Sequence, residues 1–217
     1  MTDTSSPRSA QAYWEDFYRD RDRDAAPDRP RPNELLVREV AGLPSGTALD
    51  LGCAEGGDAL WLAERGWRVT AVDVSATVLR RAAGRAARAG LDELIDWQRH
   101  DLSQSFPEGS FDLVSAQFLH SPVARDGERE GILGRAADAV APGGVLVIGS
   151  HAGWPSWQDE PPFAYHFQTN AEMLAQLGPA GREWTVETDE LLTRELPGPD
   201  GRPGSRADAV LTLRRAG

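Results

Sequence analysis

The chain contains no lysine, and all 23 of its basic residues are arginine. This reads as a compositional bias of the genome rather than a mechanism. It has one cysteine, Cys53, so an intrachain disulfide is excluded and nothing argues for an oxidising compartment. Long hydrophobic runs are missing as well. Met1 to Pro32 holds no apolar signal-peptide core, and no later run approaches the roughly 20 apolar residues of a membrane helix. A cytoplasmic protein is therefore expected. Positive charge is scarce: 34 acidic residues give a net charge of −11 and a pI near 4.8. That balance argues against nucleic acid or an anionic membrane as partner, because phosphate binding needs clustered cations. At 217 residues and 40% hydrophobic content, the chain suits one α/β domain with its own core.

Residues 1–32 read as a flexible leader carrying one short helix, and residues 33–217 as the domain. In the leader, Trp14, Phe17 and Tyr18 share one face at helical spacing, which suits either a cap on the core or a lid over a ligand. Arg19 to Pro32 is a linker of alternating Arg and Asp with proline. Asn33 is a candidate N-cap for a helix running to Val40.

From Thr47 strands and helices alternate: strand Thr47 to Leu51, helix Asp58 to Arg65, strand Arg68 to Asp73, and helix Ala76 to Ala89 closed by Gly90. Strands Ile95 to Arg99 and Phe111 to Ala116 follow. A helix from Arg129 to Val140 is expected to end at Pro142-Gly143-Gly144, before a strand from Val145 to Gly149. Thr185 to Leu196 and Ala209 to Arg215 read as two further strands joined by a turn-rich loop, hence antiparallel. The expected fold is a Rossmann-like, seven-stranded, mostly parallel sheet with helices on both faces and a C-terminal antiparallel hairpin.

The most informative stretch is Asp50-Leu51-Gly52-Cys53-Ala54-Glu55-Gly56-Gly57, followed by the strand that ends at Asp73-Val74. Small residues after a buried strand let backbone approach a ligand closely, and the amides of the next helix then face it. A carboxylate at the tip of the second strand can accept hydrogen bonds from both hydroxyls of a ribose. A nucleoside-containing cofactor is expected. Gly52-x-Ala54-x-x-Gly57 is also a variant of the dinucleotide fingerprint, with Asp73 as its ribose acid. Asp50 favours the other reading, since a carboxylate there would repel a pyrophosphate but suits the ammonium and sulfonium of S-adenosylmethionine (SAM).

With these residues, His100-Asp101-Leu102, Phe111-Asp112-Leu113-Val114 and Pro142-Gly143-Gly144 in order, the chain resembles the class I SAM-dependent methyltransferases from about Asn33 onward. The resemblance implies a cofactor site of Asp50, Gly52, Cys53, Ala54, Gly56, Asp73, Val74, Asp101 and Leu102, which Gln117 and Phe118 join by their position at the exit of the fourth strand. The glycine turn would hold the methionine part, Asp73 the ribose and Asp101 the adenine amino group. The usual central glycine is Ala54 here, tolerable if its backbone angles are ordinary. Tyr13-Trp14-x-x-x-Tyr18, Pro162-Phe163-Ala164-Tyr165 and Glu190-Leu191-Leu192-Thr193-Arg194 look like the tellurite-resistance and thiopurine methyltransferase group. That likeness places Arg194, with Arg202, near substrate, although Thr193 stands where the tellurite enzyme has histidine.

Methyl transfer needs orientation above all, and a base only when the acceptor must lose a proton. His120 and His151 follow strands at the end where α/β ligands bind, so with Arg194 they are the catalytic candidates. No metal is expected, because neither a carboxylate set for magnesium nor a His/Cys zinc spacing is present. The aromatic, proline-rich Trp154 to Phe167 is expected to wall a small, partly apolar acceptor. The leading expectation is a metal-independent methyltransferase acting on a small molecule. The alternatives are a SAM- or nucleotide-binding module without turnover and an NAD-linked oxidoreductase.

Overall fold

A computed structural model describes residues 9–20, 30–158, 160, 165–178 and 183–217. The leader residues 1–8, the linker residues 21–29, and Pro162-Phe163-Ala164 within the aromatic segment lie outside the described residues. The helices are α1 (Ala10–Asp20), α2 (Glu34–Val40), α3 (Gly57–Ala63), α4 (Ala76–Ala89), α5 (Glu128–Asp138) and α6 (Asn170–Leu177). The strands are β1 (Thr47–Leu51), β2 (Arg68–Asp73), β3 (Ile95–Arg99), β4 (Phe111–Gln117), β5 (Val140–His151), β6 (Trp184–Pro197) and β7 (Pro203–Arg215).

They form one seven-stranded sheet in the order β3-β2-β1-β4-β5-β7-β6. The first five strands pair parallel and the last two add antiparallel. Leu49, Leu51, Val114, Leu133, Ile148, Met173 and Leu211 pack on one face beneath α5 and α6. Leu36, Ala59, Leu62, Val69, Leu79 and Val147 pack on the other beneath α2, α3 and α4. A strand buried on both faces must be apolar along its buried length, as Thr47–Leu51 is after the half-buried Thr47, except for Asp50. The expected fold is therefore the one formed.

Local chemistry sets several boundaries. Ser75 caps α4 by accepting the Val78 N–H, and Gly90 ends it in the left-handed conformation. Thr169 and Glu172 form a capping box on α6. One expectation is corrected. Pro142-Gly143-Gly144 lies within β5 rather than ending a helix. The β4–β5 register jumps from Phe111↔Val140 to Leu113↔Val145, and Gly144 sits so close to the Phe111 carbonyl that a Cβ would fall 3.0 Å from it. Asn33 occupies the N-cap position of α2 but makes no capping hydrogen bond, because its side chain is taken by Asp58.

The chain reverses direction across the sheet between β1 and β4, and the crevice at their carboxyl ends is where such a sheet takes ligands. Among the described residues no helix is long and apolar enough to cross a membrane.

Candidate functional site

A cavity of about 390 Å³ opens at the carboxyl ends of β1, β2 and β4. Three carboxylates line one end of it. Asp50, at the end of β1, is 2% exposed, and its Oδ2 has no hydrogen-bond partner. Asp58, in the first turn of α3, accepts from the Asn33 backbone N–H at 2.6 Å and from Asn33 Nδ2 at 2.7 Å. Asp73, at the tip of β2, accepts from the Ser75 N–H at 2.9 Å and the Ala54 N–H at 3.2 Å. All three hold protons more tightly than usual. Burial raises Asp50 well above the ordinary carboxylate range, and the neighbouring Asp58 and Asp73 raise it further. Burial raises Asp58 against its two bonds from Asn33. It raises Asp73 to about 6, outweighing three backbone N–H donors, and nearby Glu15 adds to the rise. Three crowded, desolvated acids with one oxygen unsatisfied suit a cation.

The glycine turn wraps this end. Gly52 adopts φ +71°, and a Cβ there would fall 2.9 Å from Leu119 Cδ1. Cys53 and Ala54 also line the cavity; burial, then Asp50, pushes the Cys53 thiol well up, which suits a packing residue. Ala54 departs from expectation: its φ is +47°, left-handed rather than ordinary, so its methyl group carries strain that glycine would not. Gly56 is a second correction. It does not line the cavity; its open side faces the Trp97 ring, where a Cβ would meet Cη2 at 2.7 Å, so it serves packing behind the turn.

Helix α1 closes the cavity from above. Ala10, Trp14 and Tyr18 line it, and Trp14 Nε1 donates to Ser121 Oγ at 3.2 Å. Glu15 fastens the helix to the start of α4, accepting from Ser75 Oγ at 2.8 Å and from both the N–H and the hydroxyl of Thr77. These bonds, the Thr77 hydroxyl first, hold the Glu15 carboxyl down at about 2.

The far wall comes from the exits of β2, β3 and β4. Val74, Asp101, Leu102, Gln117, Phe118 and His120 all line the cavity. Both oxygens of Asp101 are already engaged, by the N–H and hydroxyl of Ser103 and by Gln104 Nε2. Gln117 Oε1 is buried without a partner. Phe118 is left-handed at φ +52°, uncommon for an aromatic residue, and its carbonyl accepts from His120 Nδ1 at 2.6 Å. That bond places the His120 proton on Nδ1 and leaves Nε2 as an acceptor. Burial holds the His120 imidazole below its usual value, so it is neutral at pH 7.

His151 and Arg194 do not line the cavity. They stand behind its wall, joined through Asp208, which accepts from His151 Nδ1 at 2.8 Å on one oxygen and from Arg194 Nε on the other. Asp208 is completely buried, and both bonds hold its proton affinity down against burial. The described part of the aromatic segment also misses the cavity. Trp157 packs over Gly204 on the C-terminal hairpin, and Trp154, Tyr165 and Phe167 stack on one another.

Residues 48–144 match the family described as a methyltransferase domain. This part of the chain, somewhat less than half of it, is similar to a methyltransferase domain. A 2-heptyl-1-hydroxyquinolin-4(1H)-one methyltransferase of Mycobacteroides abscessus is 32% identical over 139 residues, covering 61% of this chain and 59% of that protein. The chain spans about half the length of the curated relatives it matches. Two solved structures share the fold. One comes from work on conversion of a disulfide bond into a thioacetal group during echinomycin biosynthesis, with TM-score 0.70 and 22% identity over 96% of this chain and 92% of that one. The other is TehB from Haemophilus influenzae, with TM-score 0.65 and 18% identity over 82% and 60%.

SAM is the cofactor of this class, and the methyltransferase domain presents a donor set that fits it, with carboxylates where a cation needs them. Sequence reading missed Asp58, Glu15, Arg129 and Asp208. Asp58 could have been flagged as an acid in the first turn of a helix, whereas Glu15 lies mid-helix in α1 and meets the start of α4 only in the fold. Arg129 sits in a charge run that resembles a solvated face, and nothing local marks it.

Proposed function

We propose that the whole chain is a methyltransferase that moves the methyl group of SAM to a small-molecule acceptor without a metal. The observation that carries this reading is the cavity's division, with Asp50, Asp58 and Asp73 at one end and a neutral His120 with a free Nε2 at the other. Asp50 and Asp58 would hold the cationic amino-acid part, and Asp50 Oδ2 would gain the partner it lacks. Asp73 would take the ribose hydroxyls. Leu102 and Asp101 would flank the adenine, with Asp101 shaping the loop through Ser103 and Gln104 as well. Bound SAM supplies an electrophilic methyl group. The chain's own part is to hold the acceptor in line, to shield the reaction from water beneath Trp14 and Tyr18, and to accept a proton at His120 Nε2 when the acceptor is a hydroxyl. The Mycobacteroides relative acts on a hydroxyl-bearing compound, which supports testing such acceptors first. A cytoplasmic location belongs to the same reading.

The test begins with melting curves of the full chain with S-adenosylhomocysteine (SAH) and with NAD, since a ligand that binds only the native state raises the melting temperature. A rise with SAH alone, followed by SAH release from SAM with a thiol, hydroxyl or chalcogen acceptor, is the expected result. A rise with NAD alone would overturn it in favour of an oxidoreductase. SAH binding with no turnover across the acceptor panel would favour a binding module.

A further inference from the structure

Phe118 lines the cavity with its backbone in the left-handed region, a strained state for an aromatic residue that persists only where the surroundings fix it from several sides. Its carbonyl accepts from His120 Nδ1 at 2.6 Å. Whatever holds Phe118 therefore decides which ring nitrogen of His120 is free to accept a proton. The Phe118 N–H donates to the Gly149 carbonyl at 2.8 Å, which anchors the residue to β5 but leaves its own carbonyl to be set by the side chain.

Two groups from outside the cavity lining meet the Phe118 ring. The His151 ring lies against it, with centroids 4.5 Å apart and planes tilted by 33°. The Arg194 guanidinium stands 5.7 Å from the ring centroid, within cation–π reach. Both groups end on one carboxylate. Asp208 is the direct cross-strand neighbour of His151 in the β5–β7 pairing, and in the β6–β7 pairing it faces Leu192, two residues from Arg194. It is completely buried, and its two oxygens accept from His151 Nδ1 at 2.8 Å and from Arg194 Nε. Its charge also reaches Arg206 on its own strand. Neither His151 nor Arg194 can turn away without leaving a buried carboxylate oxygen unpaired, which is costly.

We propose that Asp208 is a positioning residue, which clamps the Phe118 ring through His151 and Arg194 and so keeps the His120 proton on Nδ1 and its Nε2 free to accept. His151 and Arg194 then serve the reaction through Phe118 rather than by touching the acceptor. The effect on turnover rests on the methyltransferase reading, whereas the effect on His120 does not.

The test reads the His120 tautomer directly, by nitrogen–proton NMR of the full chain labelled at its four histidines, with the His120 signals assigned by their loss in His120→Gln. The native chain should show His120 protonated on Nδ1. Asp208→Asn should move that proton in part to Nε2. Arg194→Met, at a half-buried position that tolerates the change if Asp208→Asn does not fold, should do so to a smaller extent. Glu187→Gln, which breaks an ion pair with Arg214 elsewhere in the hairpin, should leave the tautomer unchanged. With a hydroxyl acceptor, Asp208→Asn should lower kcat about tenfold, a part of the roughly 100-fold worth of a general base, with the KM for SAM unchanged. A native His120 protonated on Nε2 would overturn the proposal, and so would an unaltered tautomer in a folded Asp208→Asn or Arg194→Met. An equal change in Glu187→Gln would overturn it too, since Asp208 would then only hold the hairpin together. Absence of turnover with every acceptor would strike the methyltransferase reading and leave the tautomer to decide the positioning role.

Discussion

The two ends of the cavity carry opposite charge and are built in different ways. The acid end is assembled from residues close in sequence, Asp50, Asp58 and Asp73, set by two parallel strands and the turn and helix between them. The basic end draws Arg129 from α5 and His120 from the β4 exit, and behind it, outside the cavity lining, stand His151 of β5 with Arg194, Arg206 and Asp208 of the β6–β7 hairpin. The acid end thus depends on strand-end geometry that the fold repeats, whereas the basic end depends on how β6 and β7 are threaded onto β5. The difference teaches that the acid end follows from local strand and turn geometry, whereas the surroundings of the basic end follow from the placement of the hairpin.

The largest effect that would sharpen this contrast is at the basic end. With a hydroxyl acceptor, His120→Gln should lower kcat by about 100-fold, the usual scale of a lost general base. SAH affinity, read by calorimetry, should not change. An unaltered kcat would leave His120 a hydrogen-bonded loop residue. Next, Asp73→Ala should weaken SAH binding roughly 30-fold, the order expected for losing hydrogen bonds to a charged group. Unchanged affinity would remove Asp73 from the site.

A pH series divides the ends further. Asp73 in the free protein keeps its proton up to about 6, above its ordinary value of 3.8. If the ribose is held by the carboxylate, SAH affinity should fall as pH drops through 6, by at most about tenfold per pH unit. The same raised value makes the free protein's Asp73 contribution to stability shrink as pH rises from 3.8 to about 6, because the unfolded chain gives up that proton first. A flat affinity profile between pH 5 and 7 would contradict a carboxylate role. The smallest effect is Ala54→Gly. Release of left-handed strain should stabilise the free protein by about 1 kcal/mol at most, and raise its melting temperature by roughly 2–4 °C.

Most of the sheet was legible in the chain. β1, β2, β3 and α4 fall where the apolar runs, Ser75 and Gly90 place them, because those signals act within a few residues. The acid end was legible for the same reason, as Asp50 and Asp73 stand at strand ends. Other features depended on distant neighbours. Pro142-Gly143-Gly144 reads locally as a helix stop, yet the β4 backbone beside it draws it into β5 as a bulge. Gly56 reads as part of the ligand turn, yet Trp97 from β3 occupies its open side. Ala54 reads as unstrained, yet the turn needs a left-handed residue there.

By itself, the sequence determined the alternation of strands and helices, the glycine turn and the acids at the strand tips. Backbone propensity, capping and strand burial are local, and they repeat along the chain. Only the tertiary structure decided which side chains share the cavity. It brought Glu15 onto Ser75 and Thr77, placed Asp208 between His151 and Arg194, and left the Arg206 Nε without a partner. Such pairings join residues tens to scores of positions apart, and their energies depend on burial and countercharge, which exist only once the chain has folded.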